Sequence, residues 1–301
     1  MVGRIDRALQ RAGDGQVTAI VAEREGQFAP AWALEGDDAA AHGNGDRAET
    51  GEGAGSLLVA EPYPAIKGFN AEWRERLASG AERNHVLVEQ YRRLAATLHQ
   101  AQANNGIRTI MVSSAAPGDG KTLTALNLAL VLSESYFRRV LLIDADLRRP
   151  SLGGIADVTG CTGLSEALKA PTERKLSVVQ LTPRLALLPA GRPDPDPVGG
   201  LTSPRMQRIL EDAAANFDWV ILDAPPVGPL ADASLLSSLA DGALFVVRAE
   251  RTHYALVQKA IEAIGRERIL GVVLNGVKRM PEHVYDRYYD YSAPRDKRRK
   301  T

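Results

Sequence analysis

The chain has 301 residues, 45% of them hydrophobic, enough for one large domain with appendages or two small domains. Lys and Arg total 37, as do Asp and Glu, and the resulting zero net charge argues against a nucleic-acid partner held by the field of the whole chain. A single cysteine, Cys161, excludes an intramolecular disulfide and fits a reducing compartment, and no His/Asn setting marks it as a nucleophile.

No run approaches the ~18 apolar residues of a membrane span, and the N-terminus lacks the apolar core of a signal peptide. The expectation is therefore a cytoplasmic chain. Residues 4–12 read as a short amphipathic helix, with Ile5, Ala8, Leu9 and Ala12 at spacings of three and four. Such a helix is too short to be stable alone, so residues 1–13 are either a frayed terminus or a docking element for a partner. Residues 35–55 carry six acids and one base among six glycines, a composition that cannot bury enough surface to order itself. Residues 14–82 are expected to form a flexible, acidic, Gly-rich linker interrupted by Trp32 and Trp73.

Regular periodicity begins near residue 83 and runs to about 280. A helix is predicted over 84–103, with Val86, Leu87, Leu94 and Leu98 on its apolar side. Apolar strands follow at Thr109–Ser113, Val140–Asp144, Leu185–Leu188, Trp219–Asp223, Ala243–Val247 and Leu270–Asn275. Helices are predicted at 121–134, 203–216, 232–240 and 253–265, the second opened by Ser203 and Pro204 as N-cap and first-turn residues. This alternation predicts an α/β fold: a doubly wound, mostly parallel sheet of the P-loop NTPase kind, with a flexible N-terminal region and a C-terminal tail.

The segment Ala115-Ala116-Pro117-Gly118-Asp119-Gly120-Lys121-Thr122 lies between a predicted strand and a predicted helix, the setting that a phosphate loop requires. Backbone N–H groups and a helix N-terminus there suit nucleotide phosphates. Pro117, Gly118, Asp119, Gly120, Lys121, Thr122 and Leu123 are the candidate nucleotide contacts. Lys121 would reach the β- and γ-phosphates of ATP, and the Thr122 hydroxyl would ligate Mg²⁺. Ala115 stands where the pattern usually begins with Gly. Two further strands end in carboxylates, Leu141-Leu142-Ile143-Asp144 and Val220-Ile221-Leu222-Asp223, with Asp146 two residues beyond the first. A carboxylate after an apolar run is costly unless paired or bound to a cation. Asp144 and Asp223 are thus candidate metal residues with Thr122, and Asp146 is the candidate to orient or deprotonate an acceptor hydroxyl.

Together these segments resemble the bacterial tyrosine kinases of capsule and exopolysaccharide systems. Ser114 to Thr122 matches the family's S-x-x-P-G-E-G-K-S/T loop with Asp for Glu. Asp144-Ala145-Asp146-Leu147-Arg148 matches its second nucleotide motif, D-x-D-x-R, and Asp223-Ala224-Pro225-Pro226 its D-x-P-P strand end. The resemblance covers about residues 85–291. It implies catalytic roles for Lys121, Asp144 and Asp146, and an adenine contact for Asn275, which could equally be a strand-end turn residue. Partitioning and cell-division-site ATPases share the fold but carry a signature lysine where this chain has Ala116. A partitioning-type ATPase switch and a non-catalytic ATP-binding regulator are the competing readings.

Four of the eight tyrosines, Tyr285, Tyr288, Tyr289 and Tyr291, fall in the tail 281–301, followed by the basic run Lys297 to Lys300. The resemblance implies that they are autophosphorylated in trans, while an aromatic docking strip is the other reading. It further implies a membrane chain-length or co-polymerase adaptor as activator, recruitment to the inner face of the membrane, a tyrosine phosphatase and self-association. Glu89 and Arg92 match two positions of the family's E-x-x-R-x-x-R oligomer helix, but the third is Ala95.

Overall fold

A computed structural model of the chain describes residues 58–60, 69–80, 84–158, 160–172, 176–228 and 230–277. The predicted N-terminal helix, most of the predicted linker and the tyrosine tail lie outside these residues.

Among the described residues, eight strands form one sheet. They are β1 (Leu58–Ala60), β2 (Thr109–Ser114), β3 (Val140–Asp144), β4 (Leu176–Thr182), β5 (Leu185–Leu188), β6 (Trp219–Asp223), β7 (Gly242–Arg248) and β8 (Ile269–Asn275). Their order is β1-β4-β5-β3-β6-β2-β7-β8. All neighbours run parallel except the β4–β5 pair, which is antiparallel. The helices are α1 (Ala71–Arg74), α2 (His85–Asn105), α3 (Lys121–Glu134), α4 (Leu152–Ile155), α5 (Leu164–Lys169), α6 (Val198–Leu201), α7 (Pro204–Asn216), α8 (Asp232–Leu239) and α9 (Tyr254–Ile264).

The central strands are mostly apolar, with polar residues gathered toward their ends, because both faces are covered. Alternate residues enter two cores. Ile110, Val112, Leu142, Ile221 and Leu244 pack with α2 and α3. Met111, Leu141, Ile143, Val220, Leu222 and Phe245 pack with α7, α8 and α9. Helix ends follow local chemistry. Asn84 Oδ1 accepts from Leu87 N at 3.1 Å to open α2, which closes at Gly106 with φ of 68°. Ser203 caps α7 with Pro204 in its first turn, as the sequence predicts.

Two expectations are corrected. Residues 69–80, assigned to the linker by composition, pack against the domain. Leu77 and Ala78 are buried, and the side chain of Asn127 in the middle of α3 clamps the segment. Its Oδ1 accepts from Ala78 N at 2.7 Å and its Nδ2 donates to Arg76 O at 2.9 Å. The polar neighbours of Leu77 hid this anchor, because two apolar residues carry no periodicity. The second correction is β4, which was not predicted. Its Gln180 and Thr182 interrupt the apolar pattern on a strand near the sheet edge, where only part of the surface must be apolar.

Candidate active site

The sheet topology gathers the phosphate loop and both strand-end carboxylates at one end. β2 lies between β6 and β7, and β6 lies between β2 and β3, so Asp144 and Asp223 pair directly across adjacent strands next to the strand that feeds the loop. The loop is tied to the β6 exit. Ser113 Oγ donates to Pro225 O at 2.6 Å, and Val227 N donates to Ser114 O at 2.7 Å. Gly118 and Gly120 have φ of 83° and 100°, a region that side chains rarely tolerate. At Gly120 a Cβ would also stand 1.9 Å from Asn275 Nδ2. No side chain caps the N-terminus of α3. Its first N–H groups and the helix dipole are left for an anion.

Lys121 is the hub. Its Nζ donates to Asp146 Oδ2 at 2.9 Å and lies 3.7 Å from Asp223 Oδ1 and 3.4 Å from Thr122 Oγ1. Burial alone would lower the pKa of its ammonium, but the charges of Asp223, Asp146 and Asp144 prevail and raise it. Asp146 accepts from Arg149 N at 3.2 Å through its other oxygen. Asp144 Oδ2 accepts from Ser151 N at 3.1 Å and Leu152 N at 3.0 Å at the start of α4. The Ser151 and Thr122 hydroxyls are 3.3 Å apart.

The deeper carboxylates are not satisfied. Asp144 Oδ1 and both oxygens of Asp223 are buried without a hydrogen-bond partner. Burial, reinforced by the neighbouring Asp223 charge, pushes Asp144 up to about 8. Burial likewise pushes Asp223 up to about 6, against the pull of Lys121. Orphaned buried acceptors beside a hydroxyl fit a hard cation. Among the described residues no cluster of three or more His, Cys, Asp or Glu could form an all-protein cage. Mg²⁺ does not need one, since it takes few protein ligands and completes its shell with water and phosphate oxygens.

The structure reassigns two candidate contacts. The Asp119 carboxylate is 2% exposed and braces the loop from within. It accepts from Ala116 N at 3.0 Å and from Thr252 Oγ1 at 2.7 Å. Both of its oxygens are thereby engaged within the chain. Asn275 donates its Nδ2 to Asp119 O at 2.8 Å, so this amide also supports the loop. Pro117 and Leu123 sit in the loop and in the first turn of α3 as the sequence indicates.

Sequence reasoning passed over Arg148, whose fork grips Asp232 at the start of α8 at 2.5 Å and 3.2 Å and also donates to Pro195 O. This joins the second nucleotide motif to the segment that holds Pro193, Pro195 and Pro197 and to α8. Only the R of the D-x-D-x-R pattern hinted at it. Glu89 and Arg92 face each other on α2 at 3.7 Å, and Arg92 Nε also donates to Ser135 Oγ at 3.2 Å. Ala95 is wholly buried, so the third position of the oligomer pattern is not on this surface.

A model of the ParA family, described as NUBPL iron-transfer P-loop NTPase, matches residues 106–294. The tyrosine-protein kinase YwqD of Bacillus subtilis is 34% identical over 204 residues, covering 67% of this chain and 85% of that protein. The chain belongs to the bacterial tyrosine kinases, on the ParA-type P-loop fold. The tyrosine-protein kinase CpsD of Streptococcus agalactiae is 32% identical over 197 residues, covering 64% of this chain and 85% of its own length. The succinoglycan biosynthesis transport protein ExoP of Rhizobium meliloti is 37% identical over 199 residues, which span 63% of this chain and only 25% of that larger protein. Among solved structures, the kinase domain of the Escherichia coli tyrosine kinase ETK superposes with a TM-score of 0.60 at 31% identity, covering 64% of this chain and 77% of that one. Iron transfer, which the family description mentions, usually calls on thiolate ligands, and this tyrosine kinase has one cysteine.

Proposed function

We propose that this tyrosine kinase transfers the γ-phosphoryl group of ATP to tyrosines of its own tail and serves a capsule or exopolysaccharide assembly system. The observation that carries the reading is the corner at Lys121, where one ammonium lies between Asp146 and Asp223 at the foot of a phosphate loop.

In this reading the loop amides and the N-terminus of α3 receive the β- and γ-phosphates. Lys121 shares its donors between Asp146 and the γ-phosphate oxygens, stabilising charge as it develops on the transferred group. Thr122, Asp223 and Asp144 would hold Mg²⁺, directly or through water. When bound, that ion neutralises phosphate charge and orients the β- and γ-oxygens. Asp146, fixed by Lys121 and Arg149 N, has lone pairs left to align a tyrosine hydroxyl. The phenolic oxygen forms the new P–O bond as the bond to ADP breaks, and the phenol proton leaves to Asp146 or to solvent.

Tyr285, Tyr288, Tyr289 and Tyr291 are the proposed acceptors, one molecule's tail entering another's site. Asn275 retains its carbonyl oxygen for an adenine edge while its amide braces the loop. Among the described residues no helix is long and apolar enough to cross a membrane. A separate membrane adaptor as activator, a phosphatase that resets the tail and a homo-oligomer complete the proposal. The larger ExoP, a quarter of which aligns with this chain, supports such a coupling to polysaccharide transport.

The test is a phosphosite map after incubation with ATP and Mg²⁺, for wild type and Lys121→Met. Phosphate on the tail tyrosines of wild type alone is expected. ATP hydrolysis with an unmodified tail would refute the kinase assignment of the tail.

A further inference from the structure

The turn between β7 and α9 approaches the phosphate loop from the side opposite Asp146. It is tightly built. Arg251 N and Thr252 N both donate to Arg248 O, at 3.3 Å and 3.1 Å, and Arg248 N donates to Thr252 Oγ1 at 3.1 Å. Glu250 is held at φ of 59°, a left-handed conformation uncommon outside Gly, Asn and Asp. The Thr252 hydroxyl then reaches 133 residues back along the sequence to Asp119 Oδ1. The turn is therefore anchored to the interior of the phosphate loop.

The anchor delivers one side chain that has no other employment. A Cβ built on Gly118 would stand 3.9 Å from Arg251 Nη1, the one atom within 4 Å of it among the described residues beyond Gly118 and its two chain neighbours. The Arg251 guanidinium makes no hydrogen bond or ion pair among the described residues. Two other cations near the loop are engaged. Lys121 is held by Asp146, and Arg148 is held by Asp232 and Pro195 O. A guanidinium at the rim of a phosphate loop, without a hydrogen bond or ion pair among the described residues, matches the oxygens of a polyphosphate. Its turn uses a left-handed residue and a part-buried hydrogen bond to hold it there, the kind of local strain that is found at ligand clamps.

We infer that Arg251 is a second cation for the phosphate chain of the nucleotide, placed at Gly118 by the Thr252–Asp119 hydrogen bond. The inference rests on the reading that ATP is the nucleotide. Arg251 thus acts as a binding residue, and Thr252 as a positioning residue that works through it. The division of labour follows from geometry. Lys121 approaches the phosphates from the carboxylate corner, and Arg251 approaches from the outer rim.

The experiment measures dissociation constants of Mg·ATP and of inorganic tripolyphosphate for wild type, Arg251→Ala, Arg251→Lys and Thr252→Val. Tail phosphorylation kinetics are followed in parallel. Loss of a charge-assisted contact is expected to weaken both ligands about tenfold or more in Arg251→Ala. Arg251→Lys should recover part of that loss, and Thr252→Val should show a smaller loss of the same kind. Because Arg251 is exposed, the variant should fold, and an unchanged melting curve checks this. Weakening of ATP without tripolyphosphate would overturn the assignment in favour of a contact to base or ribose. Unchanged binding with slower tail phosphorylation would overturn it in favour of the acceptor. Wild type that fails to bind ATP would overturn the functional reading itself, an outcome visible before any variant is made.

Discussion

Two groups of carboxylates flank the same phosphate loop and are built in opposite ways. In one group Asp119 and Asp232 have their partners within the chain: Asp119 holds Ala116 N and Thr252, and Asp232 holds Arg148. In the other group Asp144 and Asp223 present three buried oxygens with no hydrogen-bond partner. Burying an ionised carboxylate without compensation costs several kcal/mol in principle. A fold that could satisfy Asp119 and Asp232 by ordinary means but leaves Asp144 Oδ1 and both Asp223 oxygens without a hydrogen-bond donor, with only the Lys121 charge 3.7 Å from Asp223, marks the second pair as places for a ligand. The first group shapes the loop, and the second meets what the loop binds.

The sharpest way to break this contrast is to remove the cation that both sides of the chemistry need. Lys121→Met should lower tail phosphorylation by about 10²–10³-fold or more, the range seen when one charge-stabilising donor is removed from an active site. The fold should persist, because Met refills the space of the largely buried Lys121 side chain and the helix start is otherwise unchanged. Phosphotyrosine quantified by mass spectrometry measures it. Near wild-type transfer would mean that the corner at Lys121 is structural.

Gly120→Ala attacks the braced side. The added Cβ meets Asn275 Nδ2, whose amide is fixed by Asp119 O, at a backbone φ that disfavours any side chain. A loss of about 2–3 kcal/mol in stability is expected from backbone strain and the displaced amide. ATP binding should be lost with it. Chemical denaturation and calorimetric titration read the two effects separately.

How much of this was legible in the sequence depends on the range of each interaction. The strand-end positions of Asp144 and Asp223 were readable, because three apolar residues followed by an acid is a local pattern. Gly-Lys-Thr after a strand was readable for the same reason. The pairing of Asp119 with Thr252 spans 133 residues, and that of Arg148 with Asp232 spans 84. Neither partner has a local pattern that points to the other. Asn127 could not be read either, since a polar residue in a predicted apolar helix gives no hint that it clamps Ala78. The antiparallel β4 escaped for a different reason, its mixed apolar and polar face.

The two groups should respond oppositely to neutralisation. With no nucleotide or metal added, Asp144→Asn should stabilise the protein by about 1 kcal/mol and raise Tm by a few degrees near pH 8. Asp232→Asn should destabilise it by about 1–3 kcal/mol, because it leaves the Arg148 fork with a poorer partner. The gain from Asp144→Asn should depend on pH. Because the Asp144 pKa is raised in the folded protein, folding takes up protons, and stability falls as pH rises through the window from the ordinary carboxylate range to about 8. The gain should therefore be largest at and above pH 8 and shrink toward pH 4. Thermal melts across that range measure it, and a flat difference would refute the orphaned-carboxylate account.

The smallest effect is also the most direct report on why the orphans exist. At pH 7 the raised Asp144 retains protons that a bound cation would expel, since an adjacent positive charge favours the ionised carboxylate. Asp223, pushed up less, contributes less. Binding of Mg·ATP should then release a fraction of a proton to about one proton per site. The measurement is calorimetric titration at pH 7 in two buffers of different ionisation enthalpy, whose difference in apparent heat gives the protons released. Asp144→Asn should abolish most of the release while Asp232→Asn leaves it unchanged, because the Asp232 carboxylate is already held by the Arg148 fork. Equal release from both variants would erase the distinction between the two groups of carboxylates. Release confined to the protein with an intact Asp144 would place the cation at the unpaired corner of the site.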